Sequence, residues 1–222
     1  METRQRITTL FLDIGGVLLS DGWDRNARKS AAQKFDIDHQ EMEERHRINF
    51  ETYELGKISL DNYLKSVVFY EKRNFNIDDF RKVMYSASKP FPEMLTLFKT
   101  LKEKYSLKIA AVSNEGRELN EYRIRKFSLD DIVDSFISSS FVHLRKPDMD
   151  IFQMAMDIVQ GTASEILYIE NQPIFIQNAE QIGIRSILHH NYRDTLVELI
   201  GFGLEPFSSD CGLLTEEVTL IT

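Results

Sequence analysis

No apolar run in the chain approaches the roughly 18 residues that a membrane-spanning helix needs, so no transmembrane segment is expected. There is one cysteine, Cys211, which excludes an internal disulfide framework and a cysteine-based zinc site. A reduced, cytoplasmic setting is the resulting expectation. Positive charge is short as well. With 27 basic against 35 acidic residues the formal charge is −8, which argues against nucleic acid or an anionic membrane as the main partner. Internal repeats and low-complexity segments are absent. Met1 to Arg6 run straight into the first apolar stretch, so no signal peptide is expected.

What the chain does have is ordinary for a globular protein: 222 residues, 42% hydrophobic and 28% charged. That length buries a substantial core and suits one domain with an insertion, or two small domains. The organising stretch is Ile7 to Leu19, I-T-T-L-F-L-D-I-G-G-V-L-L. Thr8 to Leu12 favour a buried strand. Asp13 then arrives in apolar company, where a charge is costly unless it is paired, bound to metal or used in chemistry. Gly15 and Gly16 follow, and glycines allow a positive φ and a close approach to the backbone. Taken alone, the stretch reads as an Asp capping a turn.

From Ser20 to Ser88 the sequence predicts an all-helical insertion. Asp24–Phe35, His39–Leu55, Ser59–Glu71 and Asp78–Ser88 are charged, with apolar residues at helical spacing. Ser59 is a plausible N-cap, and Gly56-Lys57 breaks the pattern between two helices. From Lys89 the chain alternates. Strands are predicted at Leu107–Val112, Ser135–Ser138, Ile166–Ile169 and Ile184–His189. Helices are predicted from an opening at Pro90 and Pro92 to about Leu101, then over Glu118–Phe127, Asp148–Val159, Pro173 to Gly183 and Tyr192–Ile200. Alternating strands and helices predict an α/β fold, a Rossmann-like parallel sheet with helices on both faces and the helical unit inserted. The expected division is residues 1–19 and 89–205 as the core, 20–88 as a cap, and 206–222 as a tail.

In such sheets ligands sit outside the carboxyl ends of the strands. Three predicted strands end there on polar residues: Asp13, Ser113-Asn114 and Glu170-Asn171. Lys146 lies in the loop before a helix, followed by Pro147. One rim thus gathers an acid, a hydroxyl, a cation and a second acid.

With these residues in place the sequence resembles the haloacid dehalogenase-like (HAD) hydrolases, and among them the phosphatases with a helical cap. The resemblance spans about residues 7 to 200. It rests on Asp13-Ile14-Gly15-Gly16-Val17-Leu18, on Ser113, on Lys146-Pro147 and on Glu170-Asn171, in that order. It implies a Mg²⁺-dependent phosphatase acting on a small phosphorylated metabolite, a sugar phosphate among the candidates, through an aspartyl phosphate on Asp13. Asp13, Ser113 and Lys146 would be catalytic. Gly16, Ser113, Asn114 and Lys146 would bind substrate, and Asp13, the Gly15 carbonyl, Glu170 and Asn171 would hold the metal.

Two positions depart from the family pattern. The usual second Asp of the first motif, a general acid and base, is Gly15 here. Its loss points to leaving groups of low pKa, such as sugar 1-phosphates, acyl or aryl phosphates; a water, Asp21 or Asp24 is a candidate replacement. Asn171 stands where the acidic pair usually has Asp, which lowers metal affinity unless Glu170 takes over. Two alternatives stay open: a metal-free haloacid dehalogenase, and a catalytically silent phosphate- or metal-binding module. His39, His46 and His143 read as surface residues, and His189-His190 as loop or packing residues. Trp23 reads as packing, Arg45 and Arg47 as a solvated helix face, and Glu115 and Arg117 as loop or cap contacts. The corner Tyr53 to Ser59 reads as a C-cap glycine followed by an N-cap serine.

Overall fold

Five strands, all parallel, lie in the order β3-β2-β1-β4-β5. They are β1 (Thr9–Leu12), β2 (Lys108–Ser113), β3 (Ser135–Ser138), β4 (Ile166–Glu170) and β5 (Arg185–Leu188). The structure is a computed structural model that describes residues 6–206, so the C-terminal tail from 207 on lies outside the described residues. In a strand, neighbouring side chains point to opposite faces. Leu10 and Leu12 accordingly pack on one side with α5 (Pro92–Tyr105) and α10 (Tyr192–Gly201). Phe11 packs on the other with α8 (Asp150–Val159) and α9 (Pro173–Gln181). The result is the Rossmann-like core, with helices on both faces.

The chain winds outward from β1 through β2 to β3, then crosses to β4 and β5 on the other side. The order therefore reverses between β1 and β4, where such sheets open a crevice at their carboxyl edge. Asp13 and Glu170 flank that point. The Asp13 N–H donates to the Ile169 carbonyl at 3.0 Å, carrying the β1–β4 ladder one residue past the strand.

Between β1 and α5 come four helices: α1 (Arg25–Phe35), α2 (His39–Glu54), α3 (Leu60–Val67) and α4 (Ile77–Ser86). Asp24, Asp38, Ser59 and Asn76 cap them, each side chain accepting from a backbone N–H of the first turn. Their shared interior is rich in rings, with Trp23, Tyr53, Tyr63 and Phe80 fully packed. α3 stops at Val67, four residues short of the sequence expectation. There Arg73 Nε takes the Val68 carbonyl at 2.8 Å and closes the helix. The two chain crossings that join this unit to the sheet pair with each other, Ser20 N–H to the Lys89 carbonyl at 2.8 Å and Lys89 N–H to Ser20 Oγ at 3.0 Å. α6 (Arg117–Lys126) and the single turn α7 (Ser139–Val142) complete the set. α7 is too short to leave a periodic signal. Among the described residues no helix is long and apolar enough to cross a membrane.

Candidate active site

A cavity of about 420 Å³ opens at the carboxyl edge of the sheet, between the strand ends and α1–α2. Asp13, Gly15, Ser113, Asn114, Lys146 and Asn171 all line it. Of the expected site residues, Gly16 and Glu170 lie outside the lining. Gly16 sits under the Asn171 side chain, and Glu170 is fully buried under Lys146.

The centre is one cation shared by two acids. Lys146 Nζ donates to Asp13 Oδ1 at 2.8 Å and to Glu170 Oε2 at 2.6 Å. All three groups are buried. Burial works against a charged Lys146, but Asp13 and Glu170 outweigh it and hold the ammonium pKa above its ordinary value. Glu170 is pushed up by burial and by Asp13, with Lys146 opposing. Tyr168, two residues before Glu170 and so on the same face of β4, accepts from Lys146 at 3.1 Å and donates to Glu170. Nothing in the sequence analysis singled out Tyr168, although the i, i+2 spacing to Glu170 was the available signal.

Glu170 has no oxygen to spare. Oε1 accepts from the backbone N–H groups of Asn171 and Gln172, both at 2.9 Å, while Oε2 accepts from Lys146 and Tyr168. A carboxylate has about four acceptor positions, and all are taken. Asn114 is committed as well. Its amide donates to the Lys146 carbonyl at 2.9 Å and accepts from the Lys146 N–H at 2.8 Å, so its side chain fixes the lysine loop. Ser113 Oγ accepts from the Ile14 N–H at 3.4 Å, a long contact that a ligand can displace.

The two glycines differ. Gly16 has φ +79°, and a Cβ there would stand 2.0 Å from Asn171 Nδ2, so any side chain would be strained and would displace Asn171. Gly15 has no such constraint. A Cβ at Gly15 would meet Asp21 Oδ1 at 3.4 Å, in ordinary contact. The Asp21 carboxylate thus stands beside the space a side chain at position 15 would enter. Burial first, then Asp13 and Asp24, push its pKa up, with Arg123 opposing.

The metal expectation can be tested on the donor set. Among the described residues, no group of three or more His, Cys, Asp or Glu side chains is placed to hold a metal. Of the four residues expected to hold it, Asp13, Gly15 and Asn171 line the cavity, with the Asp21 carboxylate beside Gly15. Mg²⁺ keeps several waters and binds protein through one or two carboxylates, so this hard-oxygen set fits it. Glu170 would then supply charge, with no oxygen left for direct ligation.

A family model for haloacid dehalogenase-like hydrolases matches residues 25–189. The chain belongs to this family. The matched span begins after Asp13, so the place of that residue rests on the geometry above. A HAD family enzyme from Bacteroides thetaiotaomicron is similar at TM-score 0.72 and 20% identity, over 84% of this chain and 95% of that one. The same enzyme has been solved in complex with magnesium and inorganic phosphate. The L-2-haloacid dehalogenase of Xanthobacter autotrophicus, with chloropropionic acid covalently bound, gives TM-score 0.58 at 15% identity, over 90% of this chain and 85% of that one. At such identities the likeness is one of fold. A curated relative, drimenol cyclase from Aspergillus calidoustus, is 23% identical over 194 residues, 83% of this chain. The chain spans only 34% of that protein's length.

Several bland readings change in this HAD hydrolase. His46 is largely buried, its Nδ1 bonded to Tyr63 Oη at 2.8 Å, and Tyr63 accepts from Trp23 Nε1 at 3.0 Å. Burial pushes its pKa down to about 4. Glu115 lies in the loop after β2 but is buried against Arg123, and burial pushes its carboxyl up to about 7. Trp23 both packs, edge-on to Phe80, and lines the cavity. Gly56 has φ +66° and lies against the Ser140 backbone, so the corner after α2 also docks on α7.

Proposed function

We propose that this HAD hydrolase is a phosphatase that cleaves a small phosphorylated metabolite, with Mg²⁺ as its cofactor and residues 20–88 acting as a cap. The supporting observation is Lys146 Nζ held between Asp13 and Glu170 at the sheet's switch point. A carboxylate meeting a phosphate dianion needs positive charge beside it, and Lys146 supplies some of it. Bound through Asp13, the Gly15 carbonyl and Asn171, Mg²⁺ would offset the remaining repulsion.

In this reading an Asp13 oxygen attacks phosphorus, the P–O bond to the alcohol breaks, and an aspartyl phosphate forms. The Ser113 hydroxyl and the Asn114 N–H hold phosphate oxygens, the Glu115 N–H being taken by Ser139 Oγ at 2.9 Å. Asp21 gives its proton to the leaving oxygen, then takes one from the water that opens the intermediate, filling the role left vacant at Gly15. With Asp21 in that role, ordinary esters such as sugar 6-phosphates are substrates alongside those with better leaving groups. The helical unit closes the cavity and excludes water. In this reading the enzyme works in the cytoplasm.

The test is phosphate release from sugar 1-phosphates, sugar 6-phosphates, an acyl and an aryl phosphate, with Mg²⁺ and with chelator. Turnover that needs both Mg²⁺ and Asp13 is expected. One observation favours a second reading: Glu170 is saturated without metal, as a metal-free dehalogenase attacking carbon would allow. Halide release that is indifferent to chelator would replace the phosphatase with that reading. No turnover of either kind in folded protein would leave a silent binding module.

A further inference from the structure

We propose that Arg123 is a positioning residue, whose one guanidinium pins both crossings between the sheet and the helical unit and so holds Asp21 over Gly15. Arg123 lies on α6 and is 1% exposed. Its Nε donates to Ser88 Oγ at 3.0 Å and Nη2 to the Ser20 carbonyl at 2.7 Å, while Nη1 pairs with Glu115. Ser20 belongs to the outgoing crossing and Ser88 to the returning one. Three acceptors in three directions match a planar fork of five N–H donors, a geometry that a lysine ammonium does not reproduce.

Asp21 is bracketed by this one group. On one side Arg123 holds the Ser20 carbonyl. On the other, a Cβ on Gly22 would stand 2.2 Å from Arg123 Nη2, so the guanidinium packs onto the Gly22 backbone, which has φ +74°. Trp23 N–H donates to the Asp21 carbonyl at 2.9 Å and closes the turn. Glu115, also buried, takes the third side of the guanidinium through Nη1, so the fork is held in three directions. Moving the 20–22 segment away from Gly15 therefore requires breaking the contact with Arg123.

Trp23 is the chain's single tryptophan and sits two residues from Asp21, so its fluorescence reports the crossing without reference to catalysis. The variants are Arg123→Gln, Arg123→Lys and Ser88→Ala, each checked for folding by circular dichroism. In Arg123→Gln, Trp23 emission should shift red and acrylamide quenching should rise; Ser88→Ala should show a smaller change of the same sign and stands in if Arg123→Gln does not fold. The kinetic arm rests on the phosphatase reading. There kcat should fall by about 10²-fold, the cost of a misplaced group, with KM little changed. Arg123→Lys, which keeps the charge and loses the fork, should recover less than half of either effect.

Folded Arg123→Gln and Ser88→Ala with parental quenching would overturn the pinning. A raised KM with unchanged kcat would make Arg123 a substrate contact and overturn its positioning role. Increased quenching in a protein whose parent releases no phosphate would uphold the pinning and remove the phosphatase reading alone.

Discussion

The sheet and the helical unit solve burial in different ways. At the carboxyl edge of the sheet five charges are buried beside small polar groups such as Ser113 and Ser138: Asp13, Lys146, Glu170, Arg123 and Glu115, each held by at least one partner. In the helical unit the interior is mostly rings, with Arg28 and Glu54 buried as well: Tyr53 stacks on Tyr63 at 5.1 Å, and Phe80 meets Trp23 and Phe35. Strands bonded on both sides hold side chains at their ends in set positions, which suits paired charges at short range. Rings bury large apolar area with tolerant geometry, which suits a wall that shapes a cavity. Chemistry is thus expected from the sheet, and shape from the helices.

The sharpest break in that division would come from Asp13→Asn. Turnover should fall on the order of 10⁶-fold, as loss of a covalent nucleophile does elsewhere, while the thermal midpoint stays near the parent's. Lys146→Met should affect both properties. It leaves two buried acids without their cation, and breaking such a pair costs about 3–5 kcal/mol, read as a lower denaturant midpoint. Asp21→Asn should slow phosphate release by about 10²–10⁴-fold, and adding Gly15→Asp should restore part of it, since position 15 has room for a side chain. An unchanged rate in Asp21→Asn would return the acid–base role to water.

On the other side of the comparison, Phe80→Ala should cost about 3–5 kcal/mol of stability. Its effect on kcat per folded molecule should be small; a large loss would mean that the rings do more than shape. The smallest effects are in pH, and they have opposite signs in the two regions. His46 has its folded pKa lowered to about 4 by burial. Its contribution is full above about 6.5 and is lost as pH falls towards 4. Glu115 has its folded pKa raised to about 7, so its contribution is present below about 4.5 and is lost as pH rises through 7. The two windows overlap and oppose each other, so in chemical melts from pH 4 to 8 His46→Gln should remove a rise of stability with pH and Glu115→Gln should remove a fall.

Much of the fold was legible because local signals agreed. Ser135–Ser138 was readable at both ends, α5 starts at the second of the two prolines expected to open it, and Asp24 and Ser59 capped the helices they were expected to start. The site was legible as a set of strand-end residues, and six of its eight positions line one cavity. Glu170 and Asn114 were legible as members, and their partners were not. Arg123 gave no signal: in E-Y-R-I-R-K it resembles the exposed charges around it, and the two partners on the crossings are 35 and 103 residues away. His46 looked exposed because the hydroxyl that satisfies it, Tyr63, sits on another helix.

By itself the sequence determined the period of its elements. In a parallel sheet every strand's carboxyl end falls on one edge, so the period also determined that Asp13, Ser113 and Glu170 would share a rim. Tertiary structure alone decided which charge meets which. Asp13 and Lys146 are 133 residues apart, and a buried charge is tolerated only with a partner at bonding distance. Where that partner lies depends on how helices and strands pack together, which no local pattern encodes.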